Sequence, residues 1–149
     1  MWRVRLVAYA PLLFWIGVIF YLSSSQGSFS ETSRFFEPIL YFLFPNASLE
    51  TITELHGYIR KLAHVGVYSL LGLLATRAFS IRWAKTPLVW AAVSIAVVVT
   101  VASLDEFNQS FLATRTGAVA DVVLDTVSGV AAIGIAIWWL KRRQGSRGF

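Results

Sequence analysis

Cysteine is absent from the 149 residues of this chain, and charged residues are scarce. Without cysteine there can be no disulfide bond, no thiol nucleophile and no thiolate ligand for a metal. Asp, Glu, Lys and Arg make up 14% of the chain, whereas an ordinary soluble domain has about 25%. The shortage of charge therefore argues against an ordinary soluble domain.

Long apolar segments account for the low proportion of charged residues. Four of them run without interruption, and each is close to the roughly 20 residues that a helix needs to cross a bilayer. A spanning segment must satisfy its own backbone hydrogen bonds, and the strict alternation of a barrel strand is absent. The sequence therefore predicts one all-α membrane domain over residues 1–149, a four-transmembrane-helix bundle with spans at residues 6–22, 62–79, 88–104 and 122–140.

The first apolar segment follows Arg3 and Arg5, as the core of a secretory signal peptide would. It is longer than the core of about 7–15 residues that is usual in signal peptides, and no Ala-x-Ala-like cleavage site follows it. We therefore expect this segment to remain in the protein as an uncleaved first span.

Charge is distributed unevenly across the predicted membrane. Nine of the 13 Lys and Arg residues lie on the side that holds both termini, and the other four share the opposite side with all eight Asp and Glu residues. Because basic residues are enriched in cytoplasmic loops, both termini are predicted to be cytoplasmic. This topology explains the net charge of +5, and we expect no nucleic-acid partner, which would call for one concentrated basic patch.

The predicted outer loop, residues 23–60, contains two amphipathic segments. In the first, apolar residues recur at helical spacing until Pro45, and we expect this short helix to lie on the outer leaflet. In the second, Ser48 is placed to cap a helix that continues into the second span. The apolar residues are Phe35, Phe36, Ile39, Leu40 and Leu43 in the first segment and Ile52, Leu55 and Ile59 in the second.

Polar residues cluster at the outer ends of the last three spans, at spacings that place them on shared helical faces. An ionisable group at membrane depth is costly unless it has a partner or faces water. We therefore expect these residues to converge on one outward-facing pocket, with Arg60 outside it as an anchor at the membrane interface. The candidate site residues are Lys61, His64, Tyr68, Asp105, Glu106, Gln109, Arg115, Asp121 and Asp125.

Structural and functional interpretations of these residues remain open. Asp105 and Glu106 end a helix, where the helix dipole opposes a negative charge and favours a compensating cation. Arg115, in the short turn between the third and fourth spans, is predicted to be the principal counter-charge. Asp121 could be a helix-start charge, whereas Asp125, one turn deeper, is more typical of a functional site.

Several of these residues belong to motifs that occur in a fixed order along the chain. The motifs are Arg60-Lys61-x-Ala63-His64 with Tyr68, Asp105-Glu106 with Gln109, Arg115 with Gly117, and Asp121-Val122 with Asp125 and Gly129. In order and spacing they resemble the VanZ-like family of small bacterial membrane proteins, over nearly the whole chain. The family takes its name from a protein associated with resistance to teicoplanin, a lipid-bearing glycopeptide antibiotic. The resemblance implies a multi-pass protein of the bacterial cytoplasmic (inner) membrane that acts on or near the cell envelope.

Two positions depart from the family's pattern. Val67 stands where members often carry an acid, and Asn108 stands where they often carry a histidine. Both departures remove a potential metal ligand or proton carrier, which weakens a catalytic interpretation.

Three functions fit the pattern. The favoured one is a non-enzymatic envelope protein whose pocket binds a membrane lipid headgroup, a lipid-linked cell-wall precursor or a lipoglycopeptide antibiotic. The second is a metal-dependent membrane enzyme acting on a lipid-linked phosphate, in which the acids and His64 hold Mg²⁺, Mn²⁺ or Zn²⁺ while Lys61 and Arg115 bind phosphate. Proton-coupled transport ranks third, because four short spans without an obvious repeat offer little machinery.

Overall fold

The computed structural model describes residues 2–24, 29–82, 86–111 and 119–145, and nearly all of these residues are helical. Five helices lie in these ranges, and no strand is found there. The helices are α1 (Trp2–Ser23), α2 (Phe29–Leu43), α3 (Leu49–Arg82), α4 (Pro87–Ser110) and α5 (Val119–Gly145).

Local sequence explains where two of the helices begin. The Ser48 hydroxyl accepts a hydrogen bond of 3.2 Å from the backbone N–H of Thr51, which satisfies one of the free donors at the start of α3. Helix α4 begins at Pro87, a residue suited to the first helical position because its ring presets φ and it has no N–H to leave unpaired.

Three helices are long and apolar enough to cross a membrane, over Leu49–Ile81 in α3, Pro87–Ser110 in α4 and Val119–Arg142 in α5. The described apolar part of α1, Val7–Ser23, is shorter than these three. The protein therefore has the helices of a membrane bundle, while a fourth span formed by α1 remains a prediction.

Contacts between helices show how α1, α3, α4 and α5 run relative to one another. His64 pairs with Asp125 and Ser69 with Ser128, so α3 and α5 run parallel. Trp15 Nε1 donates a hydrogen bond to the backbone oxygen of Val67, and Tyr9 contacts Phe79 further along α3. An earlier residue of α1 therefore contacts a later residue of α3, so these two helices are antiparallel.

Helices α4 and α5 are also antiparallel. A carboxylate oxygen of Asp105 lies near Asp125, whereas Val98, two turns earlier in α4, lies against Gly129 of α5. The C-terminal ends of α1 and α4 therefore lie at the same end of the bundle as the N-terminal part of α5. This alternation is what gathers the polar residues of separate helices at one end.

Helix α3 is the centre of the bundle, because it contacts each of the other four helices. Its 34 residues correspond to about 51 Å at 1.5 Å per residue, well beyond the roughly 30 Å of a bilayer core. Among the described residues, α2 packs on α3 and on no other helix. Helix α2 therefore lies at the margin of the bundle, with Phe35 and Phe42 exposed.

Glycine permits the closest approach between α3 and α5. A Cβ atom added at Gly72 would overlap the backbone oxygen of Gly129, and one added at Gly129 would overlap the side chain of Val98. Small residues at a membrane helix interface let the backbones come together in this way. The close approach lies two turns below His64 on α3 and one turn below Asp125 on α5, so it helps to bring these two side chains into contact.

Candidate functional site

His64 and Asp125 form the link between α3 and α5. The Nδ1 atom of His64 lies 3.2 Å from both carboxylate oxygens of Asp125. Asp125 is only 1% exposed, whereas His64 is half-buried. A buried carboxylate is costly without a partner, so the imidazole stabilises Asp125 in the interior.

Tyr68 and Asp105 form a second link, between α3 and α4. The Tyr68 hydroxyl donates a hydrogen bond of 2.7 Å to Oδ2 of Asp105, and both side chains are almost completely buried. The Ser23 hydroxyl at the end of α1 donates to the backbone oxygen of Asp105 at 3.3 Å. Asp105 is therefore held by contacts from two other helices.

The two links meet in one group of three side chains. His64, Asp105 and Asp125 each offer a nitrogen or oxygen atom, and these atoms all lie within 4.8 Å of one another. Oδ1 of Asp105 is buried and has no hydrogen-bond partner among the described residues. The group thus combines two buried carboxylates, one imidazole and one unsatisfied oxygen, a donor set that could hold a metal ion.

A cavity of about 150 Å³ adjoins this group. One water molecule needs about 10–15 Å³ of such space, so the cavity has room for several waters or a small polar group. Its walls come from α1, α2, α3 and α4, and Arg60 of α3 donates a hydrogen bond of 3.1 Å to the hydroxyl of Thr32 in α2. The lining residues are Ile19, Leu22, Ser23, Thr32, Arg60, Ala63, His64, Val67, Tyr68, Asp105 and Gln109.

The structure brings together four of the residues singled out in the sequence at the wall of the cavity, namely His64, Tyr68, Asp105 and Gln109. Asp125 joins them through its contact with His64. Glu106 is buried and Asp121 is half-buried one turn before Asp125, but neither belongs to the three-residue group.

Two cationic residues occupy places other than those expected. Lys61 is exposed and does not line the cavity, whereas Arg60, interpreted from the sequence as an interface anchor, does line it. Residues three and four positions before His64 both neighbour its face, so the spacing alone does not separate Arg60 from Lys61. Arg115 lies outside the described residues, and its role as the principal counter-charge remains a prediction.

Sequence reasoning missed the contributions of α1 and α2 to the cavity. Ser23 and Thr32 lie in the predicted outer loop, residues 23–60, and nothing in its pattern indicated contact with distant helices. The spacing to His64 admits Arg60 as well as Lys61. Val67, one of the two departures from the family pattern, also lines the cavity.

Comparison with known proteins identifies one family. The family model described as VanZ/LLP1 matches residues 7–141 of the chain. No curated protein matches the chain, and no solved structure does so either. The match covers α2, α3 and α4, most of α1 and α5, and every candidate site residue, so the chain belongs to the VanZ-like family.

Proposed function

We propose that this VanZ-like protein binds an amphiphile by holding a phosphate or carboxylate of its polar headgroup in the cavity between α1, α2, α3 and α4. The amphiphile would be a membrane lipid, a lipid-linked cell-wall precursor or a lipoglycopeptide antibiotic such as teicoplanin. These ligands share one chemistry, a polar and often anionic head joined to an apolar chain. The role would be recognition or shielding at the envelope, in line with the resistance phenotype that names the family.

The observation that carries this proposal is the mixed lining of the cavity. Ile19 and Leu22 of α1 supply an apolar wall, while Arg60 and Gln109 supply polar groups from α3 and α4. Pockets of this kind hold a ligand through apolar contact and orient it with a few polar groups. A guanidinium is well suited to a phosphate or carboxylate, because its planar fork can donate two hydrogen bonds at once.

Helix α2 supports the same proposal from its exposed side. Thr32 of α2 reaches the cavity wall, while Phe35 and Phe42 of the same helix are exposed. Exposed aromatic residues on an amphipathic helix are typical of contact with the lipid headgroup region. An amphiphile with its head in the cavity could therefore lay its apolar chain beside α2.

Orientation follows from the charge distribution described above. The cavity lies at the end of the bundle opposite the C-terminal end of α5, where Lys141 and Arg142 are located. The positive-inside rule places that basic end in the cytoplasm. We therefore place the cavity on the outer side of the bacterial cytoplasmic membrane, where cell-wall precursors and glycopeptides are met.

The test is retention of an anionic amphiphile by the purified protein. Native mass spectrometry would measure the affinity for phosphatidylglycerol, for a polyprenyl-diphosphate-linked precursor and for teicoplanin, each added separately. We expect at least one of them to bind, and Arg60→Gln to weaken that binding about tenfold, equivalent to 1.4 kcal/mol. Arg34→Gln is the matched control, because Arg34 is an exposed arginine of α2 whose ion pair with Glu31 lies on the surface.

Equal affinities for Arg60→Gln and Arg34→Gln would contradict the proposal, as would the absence of binding to all three amphiphiles. The alternative, a metal-dependent enzyme acting on a lipid-linked phosphate, gains no support from the family match.

A further inference from the structure

We infer that His64, Asp105 and Asp125 form a binding site for one divalent transition-metal cation, with Zn²⁺ the best match. The inference deepens the proposed function, since the cation would lie at the wall of the same cavity. It rests on three observations of different kinds. These are the donor geometry, the unsatisfied oxygen of Asp105, and the charge of two carboxylates buried together.

The distances are close to those of a metal site. Zn²⁺ binds nitrogen and oxygen at about 2.0–2.2 Å, so two neighbouring ligands of a tetrahedral site lie about 3.3–3.6 Å apart. Nδ1 of His64 lies 3.2 Å from each oxygen of Asp125. A cation could therefore replace the proton that His64 and Asp125 share, with little movement of either side chain.

Asp105 supplies the third ligand. Its donor oxygen lies within 4.8 Å of those of the other two residues, whereas tetrahedral ligands would be about 3.6 Å apart at most. Rotation of the Asp105 side chain, or a small approach of α4, would have to close up to about 1.2 Å of this separation. Helices α3, α4 and α5 already meet one turn away, where a Cβ atom at Gly129 would contact both Val98 and the backbone oxygen of Tyr68.

The unsatisfied oxygen is independent of the distances and points to a ligand. Oδ2 of Asp105 accepts the hydrogen bond from Tyr68, but Oδ1 is buried and has no hydrogen-bond partner among the described residues. Asp105 is 3% exposed, so bulk water does not compensate for the missing partner. A buried polar atom without a partner is costly, and a cation at the group would satisfy it.

Charge supports the same conclusion. Asp105 and Asp125 are both buried in helices that are apolar enough to cross a membrane. Two carboxylates at this separation repel each other, and the repulsion is strong where the surroundings are apolar. A divalent cation would neutralise both at once and leave the imidazole as a neutral ligand.

The chemistry of the donors selects the class of metal. Ca²⁺ and Mg²⁺ prefer sites made wholly of oxygen, whereas imidazole suits Zn²⁺ and related transition metals. Three protein ligands would leave a fourth position of a tetrahedral Zn²⁺ open. That position would face the adjoining cavity, where a phosphate or carboxylate of the proposed amphiphile could occupy it.

Tyr68 acts as a positioning residue for this site. Its hydroxyl binds Oδ2 of Asp105 and so leaves Oδ1 as the oxygen directed to the cation. Partners that hold a metal ligand in place typically contribute about 10–100-fold to metal affinity.

The test is zinc binding by the full-length protein in detergent, with its affinity tag removed and its metals stripped by a chelator. Equilibrium dialysis against Zn²⁺ should show saturable binding of one ion per chain, unaffected by excess Mg²⁺ or Ca²⁺. His64→Gln and Asp125→Asn should each weaken it about 100-fold or more, beyond the loss expected from a positioning residue. Glu54→Gln, which removes an exposed carboxylate of α3, is the matched control and should bind as the wild type does.

Wild-type protein without saturable zinc binding would overturn the inference, as would unchanged affinity in both ligand variants. Circular dichroism and gel filtration would show whether the variants fold. If they do not, Co²⁺ added to the wild type gives a second measurement. A visible absorption band that Zn²⁺ abolishes supports the site, and its absence overturns it.

The outcomes for zinc and for the amphiphile are separable. Zinc binding without amphiphile binding would support the metal site and overturn the proposed function. Amphiphile binding that Arg60→Gln weakens, in protein that binds no zinc, would support the proposed function and overturn the metal site alone.

Discussion

Asp105 is the residue at which the separate helices of the site meet. Its side chain accepts a hydrogen bond from Tyr68 of α3, its backbone oxygen accepts one from Ser23 of α1, and one of its oxygens lies near Asp125 of α5. Asp105 thus contacts α1 and α3, and lies close to α5, from its place near the end of α4. The loss of any one of these contacts would leave a buried carboxylate less well compensated.

Replacing Tyr68 with Phe tests this role. The change keeps the ring and removes only the hydroxyl, so Asp105 would lose its 2.7 Å hydrogen bond. Interhelical hydrogen bonds in membrane proteins contribute up to about 1.7 kcal/mol, and bonds to charged groups contribute about 1.5–3 kcal/mol. We expect Tyr68→Phe to lower the free energy of unfolding by about 1.5 kcal/mol, measured by denaturation in detergent.

Tyr58→Phe is the control for this change, because Tyr58 lies on the same helix and is exposed. It should leave stability unchanged. If the two variants unfold alike, the hydrogen bond from Tyr68 to Asp105 makes no net contribution to stability.

Among the helices, the pairing of α3 with α5 decides whether the site forms. These two helices run parallel and approach most closely at Gly72 and Gly129. Because the chain has no cysteine, the approach depends on packing and hydrogen bonds alone. The same approach supports the contact between His64 and Asp125 higher in the bundle.

Glycine substitutions on α3 test this pairing. Gly72→Ala would drive a Cβ atom into the backbone oxygen of Gly129, and backbone cannot yield as a flexible side chain can. We expect the free energy of unfolding to fall by about 1–3 kcal/mol, the usual cost of inserting a methyl group into a packed interior. The thermal midpoint in detergent should fall accordingly, and zinc or amphiphile affinity should fall with it.

Gly66→Ala provides the comparison on the same helix. A Cβ atom at Gly66 meets nothing within 4 Å, and alanine is a better helix former than glycine. This variant should be as stable as the wild type or slightly more so. If Gly66→Ala lowered the stability as much as Gly72→Ala, the effect would come from replacing glycine within the helix and not from the α3–α5 contact.

For the whole molecule, topology decides which side of the membrane the cavity faces. Helices α1, α3, α4 and α5 alternate in direction. An odd number of membrane crossings would place the two termini on opposite sides. Three helices qualify as spans by length and composition, and α1 has a shorter described apolar part. The count of four, and with it the cytoplasmic location of both termini, therefore depends on α1.

Single cysteines introduced into this cysteine-free chain can measure the topology. With four spans and cytoplasmic termini, an impermeant thiol reagent added to intact cells should label cysteine at Ser28 and Thr116, in the two outer loops. Cysteine at Ser146, after the last span, should be labelled only after the cells are opened. Labelling in intact cells of the cysteine at Ser146 alone would show that the orientation is the reverse of the predicted one, with the cavity facing the cytoplasm.

The sequence by itself determined the helical class, the apolar helices of a membrane bundle and the family. Apolar length and the cost of an unpaired backbone in lipid leave helices as the main solution. The same cost marks ionisable residues such as His64 and Asp125 as residues that need a partner at their depth. Helical periodicity also placed Tyr68 on the face of His64.

Only the tertiary structure decided which polar residues meet and what surrounds them. Periodicity gives the face of one helix but neither the rotation nor the depth of its neighbour, so it could not distinguish Arg60, at the cavity, from the exposed Lys61. The same limit hid Ser23 and Thr32, which reach the cavity from segments distant in sequence. The close packing at Gly72 and Gly129 depends on two surfaces fitting together. That fit, and with it the grouping of His64, Asp105 and Asp125, exists only when the helices are assembled.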